Sequence, residues 1–210
     1  MRSIGILLVF AGCHVGSAAQ TDAPDEPGDG APHSLGMFVD WSSSPKLPGP
    51  VTDKIDVSSA SFQIDHFQIV ADAGAVTRTR YLLSWDKDGG PKRDAFPDAP
   101  PGVYSKITLV MTGGSSGDHA FSIRGTWRDN DIVKQFEIHD DVPFSTSFDC
   151  DEVLAAAGSA TVGIKVDLED ALSGIDFKNA NEEGGVLEID DGAELAGFRT
   201  RLQVAFRLDD

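Results

Sequence analysis

The 210-residue chain is poor in cysteine, with two, in tyrosine, with two, and in tryptophan, with three, and its 17 Lys and Arg face 34 Asp and Glu. Each scarcity excludes something. Two cysteines, Cys13 and Cys150, make no disulfide framework. A formal charge of −17 repels a phosphate backbone, so nucleic acid is not an expected partner. No apolar run approaches the roughly 20 residues of a membrane-spanning helix. Five aromatic side chains of the Trp and Tyr kind are too few for an obvious sugar-stacking platform. Cys-x-x-Cys and His-x-x-x-His pairs are missing, and with them a local zinc signature. So are Gly-x-Ser-x-Gly and a glycine-rich loop followed by Lys-Ser or Lys-Thr, the marks of a serine hydrolase elbow and of nucleotide binding.

Hydrophobic residues nonetheless make up 40% of the chain and include 12 Phe, enough for a packed core. The charge is unevenly placed. Residues 137–194 hold 16 acids and two bases, whereas residues 76–136 hold nine bases and seven acids. The simplest reading of the acidic stretch is a solvated surface that keeps the protein in solution.

The N-terminus reads as an address. Met1 and Arg2 form a minimal charged region, and Ile4 to Ala11 is an apolar stretch of signal-peptide length. Phe10-Ala11-Gly12-Cys13 follows and resembles the lipobox of bacterial lipoproteins, although Phe10 stands where Leu is usual. The resemblance implies that residues 1–12 are removed and that Cys13 is acylated and becomes the first mature residue. Ser17-Ala18-Ala19 offers a rival cleavage site after Ala19 and simple secretion. Gln20 to His33 holds three Pro, two Gly, four acids and no aliphatic residue larger than Ala. Such a segment cannot bury enough surface to offset its ordering entropy, so residues 13–34 read as an acylated cysteine on a flexible tether.

From Leu35 onward the dominant signal is alternation with period two. Leu35, Met37, Val39 and Trp41 share a face. Ile55 to Val70 is one long strand-like run with a fault, because Phe62 and Ile64 have one parity and Phe67 and Ile69 the other. A bulge or bend at Asp65-His66 is expected there. Tyr81, Leu83 and Trp85 alternate, as do Ile107, Leu109 and Met111, then Phe121, Ile123 and Trp127, then Phe136 and Ile138, then Phe144, Thr146 and Phe148. Val162 to Leu168 alternates strictly, and Leu202, Val204, Phe206 and Leu208 close the chain as a final strand. Helix signals are few: Asp151 to Ala157 with Gly158 as a stop, Leu168 to Ser173 with Asp167 as candidate cap, and a start at Asp190 or Asp191. The pattern predicts an all-β fold over residues 35–210, a mostly antiparallel β-sandwich of about 8–9 strands with one or two short helices.

Pro100-Pro101-Gly102-Val103-Tyr104-Ser105-Lys106-Ile107-Thr108-Leu109 resembles the turn-and-strand signature of prealbumin-like bacterial β-sandwiches, domains carried by exported lipoproteins. The resemblance would span roughly residues 35–208. It implies an Ig-like or prealbumin-like sandwich and defines no catalytic residue, so none is carried over. From the residues themselves, Gly102 lets the chain turn, and Tyr104 starts a strand with its ring packed and its hydroxyl at the rim.

No residue stands out as catalytic or cofactor-binding. Cys150 sits between Asp149 and Asp151, whose charge disfavours a thiolate, and reads as a small core residue. His66 lies at the parity fault and reads as a rim or bulge residue. His119 and His139 are far from it and from each other in sequence. Glu137 and Asp149 are one of many carboxylate pairs that a glycosidase reading would invoke. Gly113-Gly114-Ser115-Ser116-Gly117 reads as a hairpin tip. Asp86-Lys87-Asp88-Gly89-Gly90 begins like a calcium loop, but Pro91 and Lys92-Arg93 break the spacing. Asp140, Asp141, Asp149 and Asp151 are the candidate Ca²⁺ ligands, should they meet at one edge of the sandwich. Trp41, Trp85 and Trp127 keep apolar parity and read as core or rim.

The expected function is that of an exported, lipid-anchored envelope protein with a non-catalytic binding or structural domain. Its expected partners are a membrane, through the lipid, and an envelope protein or glycan. A calcium- or carbohydrate-binding adhesion module and a secreted hydrolase are the alternatives.

Overall fold

A computed structural model describes residues 35–114 and 118–209. Thirteen strands and two helices occur among them. In chain order they are β1 Gly36–Ser44, β2 Gly49–Pro50, β3 Ile55–Ala71, β4 Gly74–Trp85, β5 Asp94–Phe96, β6 Gly102–Met111, β7 Phe121–Asp129, β8 Ile132–Asp140, β9 Phe144–Leu154 and β10 Ser159–Asp167. There follow α1 Glu169–Ser173, β11 Asn181–Glu183, β12 Val186–Ile189, α2 Gly192–Ala205 and β13 Phe206–Leu208. The all-β sandwich expected from alternation is present. The strand number exceeds the expected one because β2, β5, β11 and β13 are two- or three-residue pieces too short for periodicity to register. No described helix is long and apolar enough to cross a membrane.

The smaller sheet has the order β13-β10-β1-β5, with β1 and β10 parallel. The larger has the order β11-β12-β8-β7-β3-β6-β9, with β2 and β4 on the other side of β3. β3 organises it. Its first half, Ile55 to Phe62, pairs with β7, and its second half, Ile64 to Ala71, pairs with β6. β8 and β9 return in the same way along β7 and β6. The expected fault lies where β3 changes neighbour: the register with β6 shifts between Ile64 and His66. Opposite it on β4, Arg80 takes a φ of 53°, and its guanidinium lies 3.8 Å from Asp65. A single extra residue on each strand re-aims the alternation, so Phe62, Ile64, Phe67 and Ile69 all reach the core with 0% exposure.

The two sheets meet through aromatic edges. Phe62 on β3 and Phe206 on β13 sit 5.1 Å apart at 80°, and Phe67 on β3 packs on Phe96 of β5 and Trp41 of β1. Tyr104 behaves as read: its ring is fully buried, and its hydroxyl donates to the carbonyl of Pro100 at 2.8 Å. That bond ties the start of β6 back to the turn before it.

Two sequence readings are corrected. Asp151 to Ala157 is not helical. β9 runs on to Leu154, with Val153 opposite Val103, and a turn at Ala155 to Gly158 leads into β10. Pairing with β6 gives these residues hydrogen bonds that a two-turn helix would have to form alone. The closing stretch 201–208 is helix as far as Ala205, and only Phe206–Leu208 is strand. Leu195, Phe198, Leu202 and Ala205 form the buried helical stripe, while Val204, read as an inward strand residue, is 76% exposed. The expected helix start near Asp191 is present: Asp191 is the residue before α2, in extended conformation. The short helix expected at Leu168 to Ser173 is α1 over Glu169–Ser173; its N-cap residue is Leu168, not Asp167, although Asp167 Oδ1 still accepts from Glu169 N–H at 3.2 Å.

Candidate functional site

Among the described residues the larger sheet is open along β4, which pairs with β3, and the smaller sheet along β5, which pairs with β1. These two edges face each other across a groove that Arg78 of β4 spans. Its guanidinium binds Asp94 Oδ1, donates to the carbonyl of Ala95 at 2.7 Å and lies 5.2 Å from the Phe96 ring. Asp94 is buried, and its other oxygen accepts from Trp41 Nε1–H at 2.7 Å. The bridge thus joins three strands from two sheets. On one side of it is a cavity of about 370 Å³ lined by Tyr81, Leu82, Ser84 and Lys92, among others. On the other is one of about 380 Å³ lined by Thr77, Phe96, Pro97 and Ala99, among others. The Tyr81 hydroxyl is sealed from solvent without a hydrogen-bond partner. Burial, and then the nearby charge of Asp94, push its pKa far up, so it remains a proton donor. Leu82 is 59% exposed beside it. An edge strand presents N–H and C=O groups in a row, the kind of edge to which an extended chain can add.

A second constellation lies on the outward face of β7, β8 and β12. The β7–β8 register places Arg124 opposite Glu137 and Ser122 opposite His139, and β12 adds Glu188 opposite Glu137. Arg124 donates to Glu137 at 2.6 Å. That hydrogen bond holds Glu137 below the usual carboxylate range, against some burial. Glu188 is raised, by burial first and then by the charge of Glu137. The rings of His119 and His139 lie with centres 4.2 Å apart and tilted by 35°, and His119 Nδ1 lies 2.6 Å from Asp141 Oδ1.

The candidate calcium ligands do not come together. Asp140 stands opposite Phe121 and so at the level of Phe62 on β3, whereas Asp149 stands opposite Lys106 at the level of Val70. Eight residues of β3 separate the two levels, about 26 Å along the strand. Asp140 is committed elsewhere: Arg199 of α2 donates to its Oδ2 through both Nε, at 2.6 Å, and Nη2, while Val142 N–H donates to Oδ1 at 2.8 Å. Asp141 is held by His119, and Asp149 and Asp151 sit exposed on the outer face of β9. Among the described residues no group of three or more His, Cys, Asp or Glu could hold a metal ion. Glu137 and Asp149 are farther apart still. Part of the Gly113 to Gly117 loop, namely Ser115, Ser116 and Gly117, lies outside the described residues, as do Cys13 and the tether.

The remaining sequence candidates have plain settings. His66 pairs between Thr79 and Val110 at the register shift. Trp85 and Trp127 are core residues, Trp127 stacking on Phe177 at 5.9 Å. Cys150 is buried, with its Sγ 3.4 Å from the Tyr104 carbonyl. Burial, with Glu152, Asp149 and Asp151 adding their charge, pushes its thiol up to about 11. Two units above the ordinary value leaves about 100-fold less thiolate at neutral pH. Native Cys150 is therefore expected to alkylate with iodoacetamide at least that much more slowly than after unfolding in urea. Equal rates in the two states would show the site to be open.

No family model, curated protein or solved structure matches this chain.

Proposed function

We propose that this protein is an exported bacterial envelope protein, anchored by lipid on Cys13, whose β-sandwich binds a partner without catalysing a reaction. The observation that carries the binding role is the groove between the open edges of β4 and β5. It joins backbone hydrogen-bonding groups, the Arg78–Asp94–Trp41 bridge and an exposed leucine in one place. That combination suits an extended segment of an envelope protein, or a glycan chain, laid along β4.

The anchor follows from Ala11-Gly12-Cys13 after a short apolar stretch. One acyl chain binds a bilayer at only about 10⁴ M⁻¹, and each further buried CH₂ adds about 0.8 kcal/mol, so two or more chains are needed for stable retention. The acidic chain would not be held to an anionic membrane by charge.

The two halves are tested together in the cell envelope. Wild type is expected in the membrane fraction and Cys13→Ala in the soluble exported fraction. A photo-crosslinking residue at Leu82, in the groove, is expected to trap one discrete partner, and one at Val204, exposed on α2, to trap none. Adding Lys92→Glu, in the groove's own lining, should weaken the Leu82 adduct. A soluble wild type beginning at Gln20 would sink the anchor, and the same adducts from both positions would sink the groove.

A further inference from the structure

His139 occupies an unusual position. Its Nδ1 is sealed from solvent and has no hydrogen-bond partner, yet it lies 3.9 Å from Glu137 Oε1 on its own strand and 4.0 Å from Glu188 Oε2 on β12. Both distances are too long for a hydrogen bond and short enough for strong charge interaction in a partly buried place. Glu137 and Glu188 are also direct cross-strand neighbours, an arrangement of like charges that loosens a sheet.

The charges around this point form a closed set. From β7 comes Arg124, with the neutral hydroxyl of Ser122 beside it. From β8 come Glu137 and His139, and from β12 comes Glu188. The segments flanking β7 and β8 supply His119 and Asp141. Glu183 of β11 and Asp190 after β12 add negative charge around Glu188. Three carboxylates at the centre, Glu137, Glu188 and Asp141, therefore face one permanent cation, Arg124. His119 pairs with Asp141, off β12, and its ring lies 4.2 Å from that of His139, where a second positive charge would be repelled, so the cationic group that can face Glu137 and Glu188 beside Arg124 is His139. Histidine is the side chain whose charge ordinarily changes between about pH 5 and 8.

We propose that this face is a proton-operated clasp, in which proton uptake by His139 locks β12 onto β8. The lock reaches further than β12. Two residues after Ile189 the chain enters α2, whose Phe198 packs on Phe121 of β7 and whose Arg199 holds Asp140 at the end of β8. Protonated His139 places an N–H between two carboxylate oxygens that otherwise repel each other, so the C-terminal β12–α2 unit seats more firmly as pH falls. The signs agree. Glu188, raised by burial and by Glu137, costs stability when charged, and that cost is relieved as pH falls. Glu137, held down by Arg124, contributes above its ordinary pKa and stops contributing only when pH falls through its lower folded value. The clasp therefore tightens from mildly alkaline to mildly acidic pH and fails in strong acid.

The test is the melting temperature of the full chain at pH 8 and pH 5.5 at fixed ionic strength. Acidification partly neutralises any acidic protein, so the comparison with variants decides. Wild type and His66→Gln, which lies outside the clasp, are expected to show the same rise. His139→Gln should show a smaller one. Glu188→Gln should melt above wild type at pH 8 and gain less on acidification, which keeps the test available even if His139→Gln folds poorly. A rise in His139→Gln equal to wild type, or a Glu188→Gln protein that melts lower at pH 8 with an unchanged pH response, would overturn the proposal.

Discussion

Replacing Arg199 with alanine is expected to destabilise the protein by about 3 kcal/mol, the lower end of the cost of breaking a buried ion pair from one side. Asp140 has only 3% of its side chain exposed, and Arg199 supplies both hydrogen bonds to its Oδ2. Removing the guanidinium leaves a carboxylate with one backbone donor, Val142, and no countercharge. The damage extends beyond the pair. Arg199 lies one residue past Phe198, which packs on Phe121, so the same turn of α2 supplies both the ionic and the apolar contact to the larger sheet. For a domain of this size about 3 kcal/mol lowers the melting temperature by roughly 6–12 °C. Thermal unfolding of Arg199→Ala, Asp140→Asn and the double variant measures the pair directly. The double variant should be less damaged than the sum of the singles, because removing both partners leaves no orphaned charge. A melting temperature within about 2 °C of wild type for Arg199→Ala would show that the pair holds nothing together.

Gly125→Ala is expected to cost as much or more, for a steric reason. Gly125 lies in mid-β7, between Val57 on β3 and Phe136 on β8. A Cβ there would overlap the carbonyl oxygen of Asp56 and come within 2.7 Å of Phe136 Cζ. The first obstacle is backbone and cannot rotate away, and the second is a ring at 1% exposure wedged beside Phe177. Relief requires moving β3 where its register with β7 already shifts, between Val57 and Ser59. Overpacking of this kind costs about 3 kcal/mol or more, and most of the variant is expected to be insoluble. Gly197→Ala is the natural control. It lies within α2, where the nearest atom to a new Cβ is Arg201 Nη1, the end of a flexible side chain, at 3.4 Å. That substitution should raise stability by about 0.5–1 kcal/mol through helix propensity. Urea denaturation of the two variants should therefore move the midpoint in opposite directions. Loss of stability of similar size in both would refute the steric reading of Gly125.

The sequence alone determined the fold class, because period-two alternation over 162–168 and 121–127 has one physical meaning, a sheet with a buried and an exposed face. It also located the break in β3, since a parity change inside an apolar run has few explanations other than a bulge. The second constellation was not read from the sequence, although the signal for part of it was there. The two-residue turn Asn130-Asp131 sets the β7–β8 register, and from it Arg124 falls opposite Glu137 and Ser122 opposite His139. The last helix was misread because Leu202, Phe206 and Leu208 share a parity by coincidence. The helical stripe of Leu195, Phe198, Leu202 and Ala205 became distinguishable only with the packing partner Phe121 in place. What only the tertiary structure decided are the contacts between residues that no local rule brings together. Trp41, Arg78 and Asp94 meet because two different sheets end side by side, and β12 reaches β8 by a parallel pairing whose register no turn dictates. The four aspartates considered for calcium show the converse. Nearness in sequence at 140–141 and 149–151 means little when β8 and β9 are laid end to end along β3, because extended chain carries each residue about 3.3 Å from the last.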